Sequence, residues 1–421
     1  MPTADLPTTP FLLSDAGSTR ATAYCFGNKS VRIGEQTHVV WLDAIAKVRG
    51  RTFDHGTGHW SETFDLFEGC DNHTNPALTA DAEGHLRLAY GPHVRGWNEG
   101  RFKWRRSTHP NRIDAWEKET DFGYGATYAC LVHLPEGRDA IAYRGGDYPL
   151  AAMFQKQRAL GGWTPAKPIF RQEIVPQYTH YGAHLAAAPD GTLYFAAHFY
   201  NNGLPQKGPH RKSFAQSHGH ALLRSADGGE TWTDLRGEPV ATPALYHERY
   251  AVPPYGADRR VEGLVLDARG LPWMLSTCAN AEDRTALLIH WDGAAWKSLD
   301  LAQFLPAERN PTGGSLTIDT RGALHVALMA FDENAYARDP DPATWGHPSL
   351  EVFHLRVAPN LKEVAARQVS PADPATPHWL PSLSQPGLHH PVERPLLVYT
   401  AGVKGEGCTP PDRTRVYALW V

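Results

Sequence analysis

The chain has 421 residues, 42% hydrophobic and 20% charged, the balance of a globular protein and not of a disordered one. A net charge of −4, with 22 histidines uncounted, excludes the basic footprint of a nucleic-acid binder. No run approaches the roughly 18 apolar residues that cross a membrane, so neither nucleic acid nor membrane is expected as a partner.

Met1 to Pro10 carries no basic stretch and no apolar core, so the sequence as written reads as cytoplasmic, or as secreted with its signal trimmed. Residues 1–20 read as a short extension. A first hairpin runs from Val31 to Leu42 around Gly34-Glu35. His55 and His59, in His-Gly-Thr-Gly-His, are a weak metal candidate. The segment Asp71-Asn-His73-Thr-Asn-Pro76 then leads into a hairpin from Leu78 to Tyr90, whose turn is Asp81-Ala-Glu-Gly84 and which is followed by His93. The strand-like run Ala126 to Val132 carries Tyr128. Its hairpin turns at Glu136-Gly137 and ends at Tyr143-Arg144, before Gly145-Gly146-Asp147.

The Leu78–Tyr90 pattern recurs at Leu185–Ala197, Leu264–Ser276 and Leu316–Leu328, each a strand, an Asp/Gly turn and a strand of alternating character. Tyr178, His180, Tyr181 and His184 precede or open the first of these copies, and His198 follows it. An irregular basic insertion holds Lys207, His210, Arg211, Lys212, His218 and His220. With His247 or Cys278, His218 and His220 are a candidate site for a structural metal ion, zinc or calcium; catalysis itself is expected to need no cofactor. Ser225-Ala-Asp-Gly-Gly-Glu-Thr-Trp232 matches the Asp-box of sialidase-like propellers, a structural motif. Arg259, Arg260 and Glu262 open the next unit, and a last hairpin spans Leu380 to Tyr399 around Pro386-Gly387 and His389-His390.

These hairpins mark seven units of roughly 45–65 residues, the repeat length of propeller blades. The expected fold is therefore all-β, a single seven-bladed β-propeller over residues 1–421, with a C-terminal strand Arg415–Val421 completing a blade begun at the N-terminus. The 34 prolines and 38 glycines are spread as turn punctuation and mark no linker. Five cysteines lie far apart without a CxxC pair, so reduced thiols are expected.

From Asn72-His73-Thr-Asn-Pro76 onward the chain resembles the BNR-repeat propellers that include ulvan lyases and rhamnose–glucuronate lyases, best between about Asp71 and Tyr200. The resemblance implies cleavage of a uronic-acid glycan by β-elimination, with His73, His93, Tyr128 and Arg144 at the matching catalytic positions. Such a reaction removes the C5 proton beside a carboxylate. A guanidinium suits the developing charge, and an imidazole or phenol suits proton transfer. His73 is then base or carboxylate partner, His93 assists, Tyr128 is general acid and Arg144 neutralises the carboxylate; exchange of the Tyr and His roles fits equally. Tyr181, His198, Arg259 and Arg260 are candidate contacts to an acidic oligosaccharide or polysaccharide. Each residue also has a structural reading: a turn histidine, a core tyrosine, a loop ion pair. The competing functions are a rhamnosidase-type glycoside hydrolase, a sialidase, and a non-catalytic sugar-binding propeller.

Overall fold

The structure, a computed structural model, describes residues 6–44, 47–69, 71–92, 102–123, 126–145, 151–159, 161–171, 179–180, 182–201, 216–255, 259–278, 284–336, 345–373, 375–403 and 413–421. Seven antiparallel sheets follow one another along the chain. Their innermost strands are Ser30–Ile33, Ala77–Ala80, Thr127–His133, Ala183–Ala187, Arg259–Leu266, Arg309–Ile318 and His378–Leu383. Each forms a hairpin with the next strand outward, and these seven hairpins are the units legible in the sequence. Among the described residues no helix is long and apolar enough to cross a membrane.

The turn chemistry explains the repeat. In the fifth and sixth blades, Asp267 Oδ1 accepts the amides of Arg269 and Leu271, and Asp319 Oδ1 those of Arg321 and Ala323. Gly270 and Gly322 close these turns at φ +73° and +78°, where a side chain would be strained. The Asp-box makes a related turn. Ser225 Oγ–H donates to Asp227 Oδ1 (2.7 Å), Thr231 donates to the same carboxylate, and buried Trp232 packs edge-on against Phe154 and Phe195.

Apolar side chains gather between blades. One cluster of buried residues fills each of the seven blade interfaces, for example Val40, Leu42, Leu78 and Leu88 between the first two blades. Both faces of a middle strand are therefore covered. Leu86–Tyr90 and Asp139–Gly145 are buried along their whole length, where the sequence pattern suggested alternation between a buried and an exposed face.

Ring closure joins the two termini in one blade, as expected. Three C-terminal strands, His378–Leu383, Leu396–Val403 and Arg413–Trp420, form the inner part of the seventh blade. The N-terminal strand Phe11–Gly17, expected to be part of an extension, is its outermost member and pairs with Arg413–Trp420. Leu13 is the reason: it is buried beside Trp41, Phe53 and Trp420.

Candidate active site

The segment from Ser18 to Lys29, between the closing strand and the first blade, runs into the propeller axis. Thr22 Oγ1 lies 2.6 Å from the Leu380 carbonyl and 2.8 Å from Thr400 Oγ1, and the Tyr24 amide donates to Asn75 Oδ1 at 2.6 Å. Lys29 is fully buried. Its ammonium donates to Gly27 O, Asn75 Oδ1 and Pro76 O at 2.7–2.8 Å, matching its three protons with three acceptors. Burial pushes its pKa well below the usual lysine range. This network ties the axial segment to the loop carrying His73.

Cys25 and Phe26 separate two cavities on the axis, because both residues line each of them. The first cavity, of about 280 Å³, opens where the inner strands begin; Arg20, Tyr24, His73, Tyr128, His198, Arg260, Glu262 and Trp345 are among its walls. It gathers four of the sequence-derived candidates. The second, of about 340 Å³, opens at the other ends of those strands and is walled by Asn28, His133, His184, Asp267, Asp319 and Gln385. His133 there is tied to Asp139 at 2.7 Å, and burial brings the His184 pKa down to about 4.

His73 is set by an Asp turn: its amide donates to Asp71 Oδ1 at 2.8 Å, and Thr74 N donates to Asp71 O. Its ring lies 6.3 Å from that of Tyr128. Tyr128 sits at an irregularity in the inner strand of the third blade, between the paired residues Thr127 and Cys130, with φ +62°. Left-handed backbone is rare for a bulky residue and costs on the order of 1–3 kcal/mol. The surroundings hold it: Tyr24 meets the ring edge-on at 4.9 Å, Phe26 at 5.7 Å, and the Arg144 guanidinium lies 4.8 Å from its centroid. Arg144 itself is buried and is not among the cavity walls.

Across the cavity, His198 lies in the second strand of the fourth blade, Leu193–Asn201. The amides of Gly182 and Val261 lie 3.3 and 3.4 Å from its two ring nitrogens. Burial, then the Arg260 cation and the neighbouring His184 and His220, hold its pKa well below the usual range, so the ring is neutral. Gly182 is required there, since any Cβ would collide with the imidazole. Glu262 takes a hydrogen bond from Cys25 Sγ–H at 3.0 Å and lies 3.3 Å from Thr277 Oγ1. Burial raises its pKa against the pull of Cys25 and Arg260.

A model of the BNR repeat-containing family matches residues 24–304, well over half of the chain. The chain belongs to that family. Among solved structures, this BNR-repeat propeller is similar to a polysaccharide lyase, the PL25 ulvan lyase, at 13% identity and a TM-score of 0.72, covering 97% of this chain and 95% of that one. The same enzyme bound to -[GlcA(1-4)Rha3S]- matches at 12% identity, with the same TM-score and coverage. The polysaccharide lyase Uly1 matches at 13% identity and a TM-score of 0.62 over 99% of both chains. No curated protein sequence matches the chain.

Two of the candidate arginines stand off the cavity wall in this BNR-repeat propeller. Arg259 is fully buried and donates to Ser276 Oγ, Ser276 O and the Thr285 hydroxyl within its own blade, so it faces the sheet interior and not the cavity. Arg144 stands behind Tyr128, and the guanidiniums on the cavity wall are Arg20 and Arg260. His93 and Tyr181 lie outside the described residues, as do His210 and the side chain of His218. Of the metal candidates, His220 Nε2 lies 2.8 Å from Ser276 Oγ, and His247 Nδ1 accepts the Arg249 amide. Cys278 is buried in strand Pro272–Cys278. No cluster of three or more metal-ligating side chains occurs among the described residues.

Sequence reasoning missed Arg20, Tyr24, Cys25 and Trp345, and used Glu262 only as a companion of Arg260. The first three lie in a stretch without strand periodicity. The one available signal was a lysine amid Tyr24, Cys25 and Phe26, a charge in an apolar neighbourhood that needs partners.

Proposed function

We propose that this protein is a lyase that cleaves a uronic-acid-containing glycan, of rhamnose–glucuronate or ulvan-like type, by β-elimination. The observation that carries the reading is the convergence on one cavity of an imidazole, a strained phenol backed by a guanidinium, a neutral histidine and an arginine on the wall. A PL25 ulvan lyase of the same fold, seen also bound to -[GlcA(1-4)Rha3S]-, and the polysaccharide lyase Uly1 support it.

In this reading Arg260 grips the carboxylate of the reacting uronate, so that charge developing at C5 delocalises onto a group already paired. His73 takes the C5 proton and Tyr128 returns one to O4; the reverse assignment uses the same two groups. The C5–H electrons form the C4–C5 double bond as the C4–O4 bond breaks, so no water is consumed. Arg144, over the ring of Tyr128, stabilises negative charge on the phenol oxygen at whichever stage it appears. His198, kept neutral and packed against the Gly182 and Val261 amides, is proposed as an uncharged wall beside the sugar. His93 and Tyr181 remain proposed as assisting and substrate-contact residues.

One observation favours a second reading, a glycoside hydrolase. Glu262 is a cavity carboxyl whose burial raises its pKa, the property of a general acid. Glycosidases of the common kind need a carboxyl pair, however, and Glu262 is the single carboxyl on the described wall. Product mass separates the two. Cleaved rhamnose–glucuronate oligosaccharides whose product masses sum to the substrate mass indicate elimination; a sum larger by one water indicates hydrolysis and overturns the proposal.

A further inference from the structure

Arg260 and Glu262 are alternate residues of one strand, Arg259–Leu266, and both reach the first cavity, while their neighbours Arg259 and Val261 are buried. Glu262 sits at a bulge. Val261 pairs with Ser276 and Gly263 with Leu275, so Glu262 has no partner of its own across the hairpin. An extra residue of this kind re-aims a side chain. It sets a carboxyl beside the guanidinium that grips the uronate in the reading above.

The surroundings of Glu262 make its charge conditional. Its carboxyl takes hydrogen bonds from the Cys25 thiol of the axial segment at 3.0 Å and from the Thr277 hydroxyl of the adjacent strand at 3.3 Å; the Gly314 amide of the sixth blade adds a weaker pull. A thiol is a weak donor. Lys29, beyond Cys25, acts on that thiol, and Gly313 and Met329 close the side towards the sixth blade without charge. Arg260 is the cation that favours the carboxylate, and among the described residues no ion pair joins the two. Burial raises the Glu262 pKa, and these partners oppose it only in part. A ligand carboxylate on Arg260 brings a second negative charge beside the first and occupies the cation that favoured it.

From this we infer that Glu262 is a positioning residue that acts through Arg260, and that binding of an acidic sugar is coupled to uptake of one proton by its carboxyl. In the free protein the carboxylate restrains Arg260. When the carboxylate of the ligand takes its place, a proton from solvent adds to one Glu262 oxygen. The new O–H can donate to the Thr277 hydroxyl, which has lone pairs to accept it. One O–H bond forms and no bond between heavier atoms changes. By linkage, ligand and proton strengthen each other's binding by the same factor. Affinity is therefore greatest with Glu262 protonated and falls as rising pH strips the free protein of that proton. The inference rests on Arg260 gripping the carboxylate, but not on the elimination step.

Calorimetric titration of the full-length protein tests it with a disaccharide bearing glucuronate at its non-reducing end, which has no sugar on O4 to eliminate. The same disaccharide with its carboxyl reduced to the neutral alcohol is the second probe. Titrations in buffers of different ionisation enthalpy, at several pH values, count the protons taken up. For the acidic probe uptake should approach one proton per molecule bound, with affinity falling roughly tenfold per pH unit across the same range. The neutral probe should take up none. Glu262→Gln should abolish the uptake and flatten the pH dependence. Cys25→Ser, which gives the carboxylate a stronger donor, should keep the uptake and move it to lower pH. Binding of the acidic probe without uptake overturns the inference and leaves the glycan reading standing. Uptake that persists in Glu262→Gln belongs to another group, such as His73, and has the same effect. Failure of the acidic probe to bind overturns both.

Discussion

At the residue scale the account rests on Tyr128. Its backbone is left-handed at φ +62°, its buried ring forms part of the cavity wall, and neighbours on four sides hold it there. Removing the hydroxyl leaves those contacts intact. Tyr128→Phe should therefore melt within a few degrees of wild type while turnover falls by roughly 10²–10⁴-fold, the usual contribution of a positioned proton donor or acceptor; calorimetry and initial rates on one preparation check both halves. Glu262→Gln carries the opposite expectation. It keeps an acceptor for Cys25 and Thr277 but removes an ionisable carboxyl, so a lyase should retain most of its rate and a hydrolase should lose nearly all of it. Initial rates at several pH values decide between them.

At the element scale, hairpins dominate. Asp/Gly turns close four of the seven innermost hairpins, and Trp232 locks the Asp-box against the adjacent blade. Trp232→Ala should cost about 3–5 kcal/mol in denaturant unfolding, as expected for a buried aromatic removed from a packed interface. In the same turn, hydrogen bonds from Thr231 and Ser225 outweigh partial desolvation and hold the Asp227 pKa down to about 2. Its contribution is complete above the ordinary carboxylate range and is lost as pH falls towards 2. The hairpin rhythm made the blade count legible, because turn residues and apolar runs are local signals. The shared closing blade was legible, but Phe11–Gly17 read as an extension because its place depends on long-range packing of Leu13 against Trp41 and Trp420, which no local pattern encodes. The same limit applies to Arg259 and Arg260. Adjacent residues on a strand point to opposite faces, so one arginine enters the sheet and the other the axis, and sequence cannot say which. The axial segment Ser18–Lys29 was invisible because its structure is set by Asn75, Leu380 and Thr400, remote in sequence.

At the scale of the whole molecule, the propeller buries imidazoles in quantity. Desolvation holds His38, His184 and His220 to pKa values of about 4 and His354 to about 3. Unfolding restores them to about 6.5, so below that pH the unfolded chain binds protons the folded chain refuses. Stability should fall as pH drops from 6.5 towards 4, by up to about 1.4 kcal/mol per pH unit for each such histidine. Urea midpoints across that window measure the slope, and His220→Gln should flatten it. The same architecture brings four inner strands and one axial segment to a single mouth, and the central claim is that this mouth performs β-elimination. An ultraviolet absorbance time course on rhamnose–glucuronate polymers and oligomers tests it most directly, with wild type beside His73→Ala and Tyr128→Phe. The account predicts absorbance from the new double bond that rises with wild type and stays flat with both variants. Flat absorbance in wild type while free rhamnose accumulates, or a rise that survives both substitutions, would contradict it.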